Sequence, residues 1–67
     1  MKLKTGMIFN VIGENIKMEL LDCDSSKHIW TADVVEIIHN IPTHKYYSIL
    51  ESTILENVIL GFYEQED

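Results

Sequence analysis

Apolar and polar residues alternate with period two in the first third of the chain. Met7, Phe9 and Val11 share one side of a run that ends at Gly13-Glu14-Asn15. After it, Ile16, Met18 and Leu20 alternate with Lys17 and Glu19. Alternation on both sides of a short Gly/Asn connection predicts an antiparallel hairpin. Ile8 and Ile12 make the other face of the first run apolar as well, the pattern of a central or covered strand. Residues 22–27, Asp-Cys-Asp-Ser-Ser-Lys, read as the next turn, because Asp and Ser side chains bond to nearby backbone. Residues 28–32 then extend the hairpin into a three-stranded meander, with Ile29 and Trp30 on opposite faces.

The middle of the chain carries two patterns at once. Asp33 and Glu36 have the spacing of a capping pair, and Val34, Val35, Ile37, Ile38 and Ile41 fit one helical face. This predicts a short helix near residues 33–40, ended before Pro42. The β-branched content of the same segment favours a strand. Residues 44–55 stay open. Tyr47, Leu50, Ile54, Val58 and Phe62 form a helical stripe, and Thr53 with Glu56 has capping spacing. The same stretch also reads as a strand joined through Glu56-Asn57 to a following one. Residues 58–64 are β-branched and aromatic with Gly61 inside, which predicts a C-terminal strand. The expected architecture is one sheet-dominated α+β domain over residues 1–67.

Size changes this picture. A chain of 67 residues buries only about 60% of the surface its unfolded form exposes. Cys23 is the lone cysteine, so no internal disulfide staples the fold. Yet the chain is 46% hydrophobic and holds ten isoleucines. Excess apolar surface marks an interface. The expectation is a homodimer, or a complex with a larger protein.

Charge narrows the partner. Arginine is absent and the net charge is −6, most of it in the second half. Nucleic-acid binding needs a basic footprint, so no direct nucleic-acid partner is expected. Lys2 and Lys4 before Met7-Ile8-Phe9 have the outline of a secretory signal. The apolar run is too short for one, Asn10 interrupts it, and no small-residue cleavage site follows. No run reaches the ~18 apolar residues of a membrane span. One unpaired cysteine suits a reducing compartment, and a cytoplasmic location is expected.

Candidate chemistry is thin. Cys23, His28, His39 and His44 lack the two close ligand pairs of a zinc site. Asp22, Asp24, Ser26, His28 and Asp33 sit at calcium-loop positions, but Lys27 stands where the turn needs glycine. A nucleophilic Cys–His pair needs a proximity that spacing does not provide. The expectation is no catalytic residue, no metal and no cofactor. Trp30, Tyr46 and Tyr47 are the candidate partner anchors, with Glu64, Glu66 and Asp67 steering the approach. These features fit a small acidic, non-enzymatic protein that regulates or inhibits a larger one. The Ile-, Asn-, Glu- and Lys-rich usage suits an AT-rich phage or mobile element acting on a host system. The alternatives are a homo-oligomeric structural module and a protein that sequesters a small molecule such as a nucleotide.

Overall fold

The structure, a computed structural model, describes residues 1–66. Strands β1 (Ile8–Val11), β2 (Ile16–Asp24), β3 (Ile29–Ile38) and β4 (Ile41–Leu50) are followed by helix α1 (Glu51–Ile59) and strand β5 (Tyr63–Gln65). They form one five-stranded sheet in the order β4-β3-β2-β1-β5, antiparallel throughout. β1 to β4 are a meander. β4 and β5 then run in the same direction at opposite edges, which requires a crossover, and α1 makes it.

The helix covers one face of the sheet. Side-chain alternation turns Phe9, Met18, Leu20, Trp30 and Ala32 toward it. Ile54 from α1 and Leu3 from the N-terminal segment complete this core. Phe9, Leu20, Ala32 and Ile54 are all fully buried, at 0% exposure. Each large side chain so buried contributes about 1.5–3 kcal/mol. The ladder slips at Leu21, between Leu20 and Asp22. That bulge sends the Asp22 side chain outward and returns Cys23 to the core face opposite Trp30. The opposite face of the sheet carries no second layer among the described residues. Ile8, Glu19, Asp33 and Tyr46 form one cross-strand row on it.

The N-terminal hairpin and the sheet-dominated α+β class agree with the periodicity. The helix expected near residues 33–40 is instead the second half of β3. Ala32 and Val34 point to the core while Asp33 and Val35 point away, so the β-branched residues follow period two. Asp33 and Glu36 cap nothing; Asp33 lies beside His44 on β4. The turn after β3 is His39-Asn40, with φ 50° and 64°. Two left-handed residues make a tight turn whose twist matches the strands, and no glycine marks it in the sequence.

The open stretch resolves as strand up to Leu50 and helix from Glu51. The C-terminal strand expected over residues 58–64 is only Tyr63–Gln65, because α1 runs on to Ile59. Gly61 is not inside a strand. It lies just past the helix end at φ 83°, a conformation that disfavours any residue with a Cβ.

Candidate functional site

Exposed apolar residues concentrate at one end of the sheet. There the β1–β2 turn, the β3–β4 turn and the end of α1 come together. Ile12 N–H donates to the Phe62 carbonyl at 2.8 Å, and Ile37 N–H donates to the Asn15 carbonyl at 3.3 Å. Ile37 faces Pro42, and Ile38 faces Ile41, across the last two rungs of the β3–β4 hairpin. β2 begins at Ile16, opposite Glu36, so Ile38 and Ile41 project beyond it. The helix adds Ile59, which is 84% exposed, and Leu60 follows it. Ile12, Ile37, Ile38, Ile41, Ile59, Leu60 and Phe62 are all exposed.

The chain's surface is large for its mass. The accessible area is 4793 Å², against about 4,400 Å² for a folded monomer of 7.8 kDa. The hairpin also draws the molecule out to 38 × 22 × 18 Å.

The residues singled out as partner anchors fall in different places. Trp30 is 4% exposed and lies in the core, its indole N–H donating to Glu51 Oε1 at 3.2 Å. Tyr46 and Tyr47 lie on β4, on opposite faces, and both are exposed. Glu64 is exposed on β5, across from Asn10. Glu66 follows it, and its carboxylate accepts from Lys17 Nζ at 2.8 Å. Asp67 lies outside the described residues. β4 and β5 are opposite edges, but Tyr46 and Glu64 lie on the same uncovered face, Tyr46 paired with Asp33 and Glu64 with Asn10; Tyr47 lies on the other face. Periodicity missed the isoleucines at the apolar end. Their signal was that Ile37, Ile38 and Ile41 interrupt the alternation at a turn, where strand ends are usually polar.

The reactive side chains also separate. Cys23 and Glu51 are near one another at the opposite end, by the start of α1. His28 Nδ1 lies 3.7 Å from Glu51 Oε2. Desolvation raises the Cys23 thiol above its ordinary value, and the Glu51, Asp22 and Asp24 carboxylates push it the same way. That is the reverse of what an attacking thiolate needs. His44 Nδ1 lies 3.0 Å from Asp33 Oδ1 on the uncovered face. His39 sits apart from both in the β3–β4 turn. Asp24 accepts from Ser26, from its N–H at 3.2 Å and its hydroxyl at 2.7 Å, which holds the β2–β3 turn. Among the described residues, no three His, Cys, Asp or Glu side chains gather as a metal site requires. An open cleft of about 770 Å³ lies beside the N-terminal segment, between Lys2, Lys4, Met7 and Glu66. No helix among the described residues is long and apolar enough to cross a membrane.

No protein-family model, curated protein or solved structure matches this chain.

Proposed function

We propose that the chain is a small acidic, non-enzymatic interaction protein of the cytoplasm, which binds a larger protein through its apolar end and so regulates or inhibits it. The observation that carries this reading is the group of exposed apolar residues around Ile38 and Ile41. Exposed apolar surface of this kind loses contact with water on docking. The hairpin is a suitable wedge, because its backbone is held by a ladder along its whole length and little order remains to be imposed. Surrounding carboxylates speed the approach to a basic surface and add little to the final affinity.

The test is cross-linking in the source cell, with a photoreactive residue at position 41. The expected result is one partner, captured in stoichiometric amount. Ile41→Asp and Ile59→Asp abolish its capture, and Ser25→Asp, in the β2–β3 turn at the opposite end of the sheet, does not. A partner held equally well by Ile41→Asp rejects the apolar end as the docking surface.

A further inference from the structure

The two edges of the sheet are built differently. β5 has three residues, Glu64 among them, and Glu66 follows. A short acidic edge is a poor template for another strand. β4 has ten residues, pairs among the described residues only with β3 and contains no carboxylate. In a chain of net charge −6, this edge is where two copies repel each other least.

The hydrogen-bond phase identifies the free backbone groups. Glu51 N–H donates to the His28 carbonyl at 2.8 Å, one step past the Leu50–Ile29 pair. Antiparallel pairs alternate between bonded and non-bonded. Counting back from Glu51, Ile49, Tyr47, Lys45 and Thr43 direct their backbone groups to β3. Ser48, Tyr46 and His44 direct theirs outward. Pro42, with no N–H to donate, falls in the outward set, where none is needed by β3.

We propose that two copies of this chain pair through β4, antiparallel about a twofold axis at Tyr46, to form one continuous sheet. A twofold axis brings a strand against itself, so the strand must be self-complementary. β4 is. With the axis at Tyr46, that ring meets its own copy, His44 meets Ser48, Lys45 meets Tyr47 and Pro42 meets Leu50. Each Lys45 ammonium then lies by a tyrosine ring, a favourable cation–π arrangement. The two Tyr46 rings form a cross-strand aromatic pair. An axis at Lys45 instead sets two ammonium groups opposite each other. The pairing covers Tyr46 and Tyr47, which are 66% and 48% exposed in the single chain. The inference goes beyond the docking reading: it concerns the outward backbone groups of β4, whose first residue, Ile41, also belongs to the apolar end, and its readout is self-association rather than capture of a partner.

Sedimentation velocity on the full chain, over a micromolar concentration series, tests the pairing. The expected species is a dimer. Tyr46→Lys is harmless in one chain, where position 46 faces Asp33, but sets like charges across the axis. It raises the dimer dissociation constant by about tenfold or more. Ser48→Pro removes one outward N–H per copy and weakens the dimer to a similar degree. Tyr46→Lys keeps the wild-type circular dichroism. In the wild type, the Tyr46 and Ser48 amides exchange with deuterium more slowly as protein concentration rises, which decides the matter even where Ser48→Pro fails to fold. A chain that stays monomeric throughout the series, a dimer that Tyr46→Lys leaves intact, or concentration-independent exchange at Tyr46 overturns the proposal.

Discussion

Phe62 N–H donates to the Asn57 carbonyl oxygen at 2.9 Å, and Gly61 N–H donates to the Val58 carbonyl at 3.1 Å. This pair of bonds closes α1 and turns the chain toward β5.

The turn depends on Gly61 at φ 83°. Among the described residues, no atom beyond Gly61 and its two chain neighbours lies within 4 Å of the place a Cβ would take, so substitution costs backbone strain alone. Gly61→Ala is expected to lower unfolding free energy by about 1–2 kcal/mol. Urea titration followed by Trp30 fluorescence measures this. An unchanged midpoint means that the left-handed conformation is not required.

Ile54 is the helix residue that seals the core. Ile54→Ala removes buried methyl groups and leaves a cavity, at a cost of about 2–5 kcal/mol. In so small a domain that is a large part of the total stability. The variant is expected to be substantially unfolded at 37 °C by circular dichroism, whereas Ile59→Ala, at a site 84% exposed, keeps the wild-type transition.

His39 occupies a left-handed position that asparagine adopts more readily, and Asn40 one that glycine prefers. The double change His39→Asn with Asn40→Gly is expected to stabilise the hairpin by about 0.5–1 kcal/mol, raising the melting temperature by roughly 2–8 °C. A fall in melting temperature argues against a two-residue turn at this point.

Cys23 holds its proton to higher pH than a free thiol, because it is desolvated and lies near the Glu51, Asp22 and Asp24 charges. Alkylation by iodoacetamide proceeds through the thiolate. The rate is therefore expected to lie below that of a cysteine peptide at pH 8, with its inflection displaced upward. Glu51→Gln removes one negative charge and shifts that inflection down. The same linkage has a sign for stability. The folded state keeps a proton that the unfolded state releases, so stability from this group declines as pH rises through and above the ordinary thiol range. A Cys23 rate equal to the peptide's contradicts the placement of its side chain toward the core.

The Lys17–Glu66 ion pair is solvent-exposed on both sides, at 58% and 36%. Such pairs contribute from zero to about 1 kcal/mol and are screened by salt. Glu66→Gln is expected to change stability by less than about 1 kcal/mol, and by less still in molar sodium chloride. A larger loss shows that Glu66 holds β5 against β1 and β2 by more than charge.

Period-two alternation alone determined the β1–β2 hairpin, since one buried face requires Phe9, Met18 and Leu20 to point the same way. Of the turn expected over residues 22–27, only Ser25, Ser26 and Lys27 are turn, held by the Asp24–Ser26 bonds; Asp22, Cys23 and Asp24 continue β2, paired with Thr31, Trp30 and Ile29. Tertiary contacts decided the rest. Val34 and Val35 suit a helix face as well as a strand, and only pairing with β2 and β4 selects period two. Gly61 reads as a flaw in either element until the chain's reversal toward β5 makes it the helix end. The surfaces were least legible. Nothing local places Tyr46 and Glu64 at opposite edges, or gathers Ile12, Ile38 and Ile59 at one end, because the strand order that does so is set by packing between residues distant in sequence.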